Sequence, residues 1–499
     1  MQRRKFLQTL APAIVLPSLL NGLTVRAYSA TPLIEGLSAM QTDTDRVLVL
    51  IQLNGGNDGL NTVIPLDQYA NLQAARGNVL ATEDAVLPLS GTTDTGLHPA
   101  MEGMRQLYDD GKLCIVQGVG YPNFSFSHFR ATDIYATGSS GIETLETGWI
   151  GRYLEQQYNG FPAGYPNSDM PDPPAIQIGQ GIPLLFQAAA TNMAMTISGP
   201  NVFNNWVNGG GGSLPPTPAG IELNYLRTVA QQTQSYATQI IAASDAITSQ
   251  NPNYPAAGSN ELADQLKLVA RLIAGGLKTR IYLVALGGFD THSNQIGGGS
   301  SDTGTHAVLL GKVSEAIKAF TDDLTYLSIE ERVMGLTFTE FGRRVKANGS
   351  AGTDHGTCYP MFVFGSQLQS GIIGTNPVIP PSVAVNYNLP VQHDYRTVYG
   401  TLLKDWFCVS QEDANDIMLH NFTALPIVNA PCCIAPQPII TGPNYVCPDN
   451  ISNYSVPFVD GSTYIWTVIG GTILSGQGTN AIQVQWENNQ VGSVQVIQM

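Results

Sequence analysis

The hydrophobic positions of this chain gather into nearly unbroken runs that give way to glycine and polar residues. "RVLVLIQL" (46–53) is apolar along almost its whole length and breaks at "NGGNDGLN". A strand reads this way when both of its faces are covered, as in the centre of a parallel sheet. "KLCIVQGVG" (112–120), "IYLVALGG" (281–288) and "RVMGLTF" (332–338) repeat the pattern. Between these runs the period changes. "HPAMEGMRQLYDDG" sets Met101, Met104 and Leu107 at helical spacing and stops at Gly111. A long helix is predicted over 305–325, and two more over 221–249 and 259–276. Alternating strands and helices predict an α/β fold around an open, mostly parallel sheet. Ligands bind such sheets beyond the carboxyl ends of the strands, where the polar residues of this chain also crowd.

The pattern shifts after Phe422. "NAPCCIAPQP" reads as a linker, and "YSVPFVDGSTYIWTVIGGTILSGQGTNAIQVQW" alternates apolar and polar positions between turns, as a small all-β sandwich does. Residues 200–220, rich in glycine and proline, read as an exposed loop. Residues 1–30 combine a basic start, an apolar stretch from Leu10 to Leu20 and Arg3–Arg4, which predicts a twin-arginine-type signal peptide. The mature chain is then periplasmic, on the cell surface or extracellular. "LVARLIAGGLKTRIYLVAL" is too interrupted by Arg271, Lys278 and Arg280 to span a membrane. The predicted organisation is signal 1–30, α/β domain 31–428, linker 429–437 and a partial β-sandwich domain 438–499.

Composition narrows the partners. With 12% charged residues and a formal net charge of −15, the chain is a poor partner for nucleic acid. A small anion remains compatible, because a bound metal inverts the local field. Six cysteines in 499 residues make no disulfide scaffold. Cys114 and Cys408 are expected as buried hydrophobes, Cys358 as a lone buried thiol, and Cys432, Cys433 and Cys447 offer one disulfide.

Candidate chemistry clusters after the strands. Asp290 and His292, two apart in an extended segment, point to the same side. Asp354 and His355 form a second pair, and Glu340 adds a carboxylate. Mixed carboxylate and imidazole ligands suit a divalent ion such as zinc or manganese. The plainer reading is that Asp354 and His355 shape a turn. Asn54, Asn57 and Asp58 suit a metal ligand or an anion-binding nest, and equally a tight turn. Ser127 opens a predicted helix, as cap or nucleophile, with His128 and Arg130 beside it. Arg343 could bind an anionic group, and Glu340 with Arg344 could be a helical ion pair. His393 is a distant ligand or a cap of the last helix.

"RRKFLQ", "LVLIQLNGGNDGLNTVIP", "GFDTHSNQ" and "TEFGRRVKANGSAGTDHG" together resemble the exported bacterial proteins of domain of unknown function 1501, up to about residue 425. That family is grouped with the alkaline phosphatase and sulfatase superfamily. The resemblance implies a three-layer α/β/α sandwich with one or two divalent metal ions, and hydrolysis of a phosphate or sulfate ester. Asp290, His292, Glu340, Asp354 and His355 would hold the metal, with Asp58 and His393 as further ligands. Ser127, or a water held there, would attack. Asn54, Asn57, His128, Arg130 and Arg343 would line the substrate, a small anionic ester or a surface glycan. The superfamily expects an aspartate where Asn54 stands, so a non-catalytic binding protein on the same scaffold is the alternative. The tail resembles a polycystic-kidney-disease-type (PKD-like) immunoglobulin-like domain, a kind that serves as spacer or binding module.

Overall fold

The computed structural model describes residues 45–179, 183–197, 235–298, 300–429, 440–443, 445–446, 450–458, 462–487 and 492–498, with two short strand pieces at 19–20 and 23–24. The predicted signal peptide apart from those two pieces, the 200–220 loop, nearly all of the predicted linker, the first part of the predicted 221–249 helix and Cys432, Cys433 and Cys447 lie outside the described residues. The chain divides into two compact units, Met1–Cys432 and Cys433–Met499.

The larger unit is built from β1 (Val47–Leu53), α1 (Glu102–Asp109), β2 (Leu113–Gly120), α2 (His128–Thr137), α3 (Trp149–Gln157), β3 (Ala175–Ile178), β4 (Ala194–Ile197), α4 (Glu261–Ala274), β5 (Ile281–Leu286), α5 (Thr305–Tyr326), β6 (Val333–Phe338), β7 (Arg343–Ala347), β8 (Thr353–His355), β9 (Tyr359–Gly365), β10 (Gly371–Ile373), β11 (His393–Asp394) and α6 (Tyr395–Thr401). One sheet runs β10–β2–β9–β6–β1–β5–β3–β4, with β11 also on β2. Its pairs are parallel except those of β9, which is antiparallel to both β2 and β6. The sheet is therefore mixed and mostly parallel. The inserted β9 does not show in the apolar pattern, because "YPMFVFG" is as continuously buried as its parallel neighbours.

Every residue of β1 is buried, as an apolar run in a central strand requires. Leu48 and Leu50 pack into one core with α2, α3 and α6, while Val47, Val49 and Ile51 pack into another with α1, α4 and α5. Alternate residues thus serve opposite faces, and the outcome is an α/β/α sandwich. At about 1.5–3 kcal/mol for each such side chain taken from water, burial on both faces fixes β1 firmly.

Register decides where the chemistry falls. Leu286 of β5 pairs with Leu53 of β1, and Phe338 of β6 pairs with Gln52. Three parallel strands therefore end level at one edge, and Asn54, Gly287 and Thr339 leave it together. Two expectations are corrected here. Asp354 and His355 stand not in a loop but on β8, which pairs with β7. The segment from Glu340 to Arg344 is not helical, and Arg344 donates its Nε to the His355 carbonyl instead of pairing with Glu340. Cys114 and Cys358 are free and buried, as expected, but Cys408 is disulfide-bonded.

The smaller unit has β12 (Ile451–Ser455), β13 (Tyr464–Ile469), β14 (Gly471–Ser475), β15 (Ala481–Trp486) and β16 (Ser493–Gln498), all paired antiparallel in two sheets, β12–β15–β14 and β13–β16. Tyr454, Tyr464, Trp466, Ile482, Val484 and Trp486 form its core, at the alternate positions the sequence marks.

Candidate metal centre

Four loops meet at the sheet edge. Beyond β1, Gly55 and Gly56 adopt φ of +122° and +82°. A Cβ at Gly55 would lie 2.3 Å from the Asp290 backbone nitrogen, and one at Gly56 would lie 2.4 Å from the Phe341 ring, so both positions require glycine. Their N–H groups form the anion nest that the sequence suggests. The occupant is internal: Glu340 accepts from Gly55 N at 2.9 Å, Gly56 N at 3.0 Å and Thr339 Oγ1 at 3.0 Å. Burial works to raise the Glu340 carboxyl, but the His128 contact and these N–H bonds hold it below the ordinary carboxylate range.

Three imidazoles surround Asp290. His292 Nε2 and His355 Nε2 lie 3.3 and 3.2 Å from its Oδ1, and His128 Nε2 lies 3.4 Å from its Oδ2. Each imidazole turns its other nitrogen to an acceptor. His292 Nδ1 is 3.0 Å from Asp354 Oδ1, His355 Nδ1 is 2.8 Å from the Phe126 carbonyl, and His128 Nδ1 faces Glu340 Oε1 at 3.8 Å. Carboxylate and carbonyl oxygens only accept, so Nδ1 carries the proton in His292 and His355. With Nδ1 alone protonated, the rings would offer Nε2 lone pairs inward, and the Nε2 atoms of His292 and His355 stand 2.9 Å apart. Two facing lone pairs at that distance repel unless a cation or proton stands between them. A proton is disfavoured on His355, because burial lowers its pKa. Histidine ligated through one nitrogen and oriented through the other is the usual build of a metal site.

Ligand atoms of His128, Asp290 and His355 all come within 4.8 Å of one another. The donor set, two imidazoles and a carboxylate with His292 against the same oxygen, fits zinc or manganese. Burial raises the Asp290 carboxyl, but Arg343 outweighs it with a 2.7 Å contact and holds the group at about 2, so it is ionised and ready to bind a cation.

The other predicted site residues fall outside this cluster. Asp58 is fully buried and paired with Arg76 through two contacts of 2.9 Å. Asn57 is buried against Thr62 and His306. Arg343 is 2% exposed and spends its N–H groups on Gly56 O, Thr353 O, Phe289 O and Asp290, so it anchors the site and cannot face a substrate. His393 pairs its backbone with Val119, and the cap of α6 is Asp394, which accepts from Arg396 N. Asn54 is half-buried at the end of β1, bonded through its backbone to Leu286 and Phe289. Arg130 is tied to the Glu143 carbonyl. Ser127 is exposed, immediately before α2, and its side chain makes no cap bond. His128, read from the sequence as a substrate contact, stands instead with Asp290 and His355 in the group that could hold an ion. Sequence reasoning also assigned nothing to Thr339, the Phe126 carbonyl or Asn348, whose Nδ2 donates to His292 O and to Asp354 Oδ1.

Fold and side chains together define a three-layer α/β/α protein with a histidine and carboxylate cluster at the carboxyl edge of its sheet. Residues 215–415 match the family described as protein of unknown function (DUF1501), and residues 434–499 match the PKD-like domain. No curated protein matches this chain. Among solved structures it is similar to a protein in the alkaline phosphatase superfamily from Vibrio parahaemolyticus, at 10% identity over 92% of this chain and 88% of that one, with a TM-score of 0.33. The PsFucS1 sulfatase from Pseudoalteromonas sp. is similar at 11% identity over 92% and 85%, TM-score 0.33. The C-terminal periplasmic domain of EcEptC from Escherichia coli, in complex with Zn, is similar at 9% identity over 65% and 74%, TM-score 0.30. At this distance the functional reading belongs to the side chains. Among the described residues no helix is long and apolar enough to cross a membrane.

Proposed function

We propose that this chain is an exported metal-dependent hydrolase acting on a phosphate or sulfate ester, free or carried on a surface glycan. One observation carries the reading: His128, His292 and His355 turn Nε2 toward Asp290 while each Nδ1 faces an acceptor. His128, Asp290 and His355 would hold a divalent ion, with His292 beside them. When bound, the ion supplies Lewis-acid charge to the ester oxygens.

The chain's own residues do the rest. Asp354, the Phe126 carbonyl and Glu340 fix the ring orientations. Arg343 keeps Asp290 ionised and still. Ser127, next to His128 and without a side-chain cap bond, would attack the central atom, and the ester oxygen would leave. The first-turn N–H groups of α2, a ten-residue helix, favour an anionic group nearby.

The test is the metal content of the full chain purified without chelator, beside a His128→Gln/His355→Gln variant, followed by turnover of 4-nitrophenyl phosphate and sulfate. Near-stoichiometric metal in the parent, lost from the folded variant, with turnover of either ester, is expected. Metal without turnover of any ester favours the binding protein. No zinc or manganese taken up by the parent sinks the metal-dependent reading.

A further inference from the structure

Gln295 lies three residues past His292 and is 1% exposed. Both ends of its amide are engaged. Nε2 donates to Asp58 Oδ2 at 2.6 Å, and Oε1 accepts from Thr291 Oγ1 at 3.1 Å and from Thr353 Oγ1 at 2.9 Å. Those two threonines are not incidental. Thr291 stands between Asp290 and His292, and Thr353 immediately precedes Asp354 and His355. Thr353 N also donates to Thr291 O at 3.1 Å. Behind the amide, Asp58 is fixed by Arg76, so the clamp rests on a neutralised, buried anchor.

We infer that Gln295 is a positioning residue for the metal centre. It holds the loop of Asp290 and His292 beside the strand of Asp354 and His355, and so sets the spacing at which His292 and His355 Nε2 face each other. This rests on the metal reading and names a residue that does not touch the metal. The chemistry of the amide is specific. Leucine would leave two buried hydroxyls and an Asp58 oxygen short of a partner. Glutamate would set a second carboxylate against Asp58, or have to keep a proton there. Asparagine is a methylene too short to span anchor and hydroxyls. The course of the loop is held separately by backbone bonds from Gln295 N to Ala351 O and from His306 N to Gln295 O, which side-chain variants keep.

The probe is Co(II), titrated into the full chain and read by its visible absorption, with Zn(II) competition for affinity. Gln295→Leu is expected to weaken binding by about 10- to 100-fold, the usual effect of removing a group that orients ligands, and to alter the absorption bands. Asn260→Ala removes a helix-cap bond from α4 and touches no site residue. It controls for lost stability, which should leave the Co(II) spectrum unchanged. Thr353→Val and Thr353→Ser separate the single hydroxyl with little change of volume. Serine should keep the parent affinity and valine should lose several-fold.

Parent-like affinity and spectrum in Gln295→Leu overturns the inference. If that variant does not fold, equal affinity of Thr353→Val and Thr353→Ser overturns it. A parent chain that takes up neither Co(II) nor Zn(II) overturns the metal reading itself, which is a different result from a parent that binds while the variants bind equally well.

Discussion

Asp58→Asn tests whether the aspartate after β1 serves the metal or the fold. In the structure it serves the fold. Its oxygens meet Arg76 Nη1 and Nη2 at 2.9 Å each, and the side chains of both partners are 0% exposed. Removing one partner strands the other's charge in the interior, which costs about 3–5 kcal/mol in comparable pairs. That is a large share of a domain's total stability of about 5–15 kcal/mol. In Asp58→Asn/Arg76→Met both charges go together, so its loss should fall short of the sum of the singles by about 2 kcal/mol. Urea unfolding of the full chain, scored on the larger unit's transition, measures this. The pH dependence has a definite sign. Burial works to raise the Asp58 carboxyl, but Arg76, His306 and the Gln295 amide bring it below its ordinary value. A depressed folded pKa gives stability that is complete above the unfolded value and lost as pH falls through the folded one. The gap between the parent and Asp58→Asn should therefore stay level from about pH 7 to 5 and narrow below about pH 4. A loss under about 1 kcal/mol, or single effects that simply add, would refute the buried-pair account. Loss of metal binding at unchanged stability would instead put the weight of Asp58 on the metal centre, as the anchor of Gln295 or as a ligand.

Two further outcomes follow from the nest. Glu340→Gln keeps the shape but turns one acceptor into an NH2 facing the Gly55 and Gly56 N–H groups and Thr339; it should cost about 2–3 kcal/mol, measured by urea unfolding at pH 7, and release the His128 ring. Gly55→Ala forces a Cβ against the Asp290 backbone at φ +122°, so thermal unfolding should show a loss above about 2 kcal/mol, and Co(II) binding should weaken with it because Asp290 has to move.

Much of the fold is legible because the central strands are buried on both faces: Val47 to Leu53 has almost no polar position to mislead. The carboxyl-edge location of the chemistry follows from the same runs, since each gives way to glycine and polar residues. What the sequence hides is pairing across distance. Asp58 looks free until Arg76, 18 positions on, closes on it, and Arg343 looks available until the loop 53 positions earlier supplies Asp290. The helical reading of Glu340 and Arg344 fails because the chain passes through Gly342, whose added Cβ would lie 2.1 Å from the Cys358 carbonyl oxygen, straight into β7. His128 reads as an accessory since nothing near it in sequence is a ligand; its partners arrive from Asp290 and Glu340. The antiparallel β9 is invisible because burial erases the alternation that would distinguish it.

The charges around the three imidazoles bear on what the site can accept. Asp290, Glu340 and Asp354 stand against Arg343 and Arg344, so before any charge on the rings is counted the formal sum is −1. Arg343 is already committed to Asp290 and four backbone carbonyls, and Arg344 is bonded to the His355 carbonyl. An anionic ester approaching this surface unaided meets repulsion, and the partial positive charge of one helix terminus is worth only about 0.3–1 kcal/mol at an exposed site. On the proposed reading, a divalent cation held by His128, Asp290 and His355 would reverse the sign to +1 and present that charge to the ester oxygens. The same residues that make the site unfit for an anion alone make it fit for a cation first, so substrate affinity should rise and fall with metal occupancy.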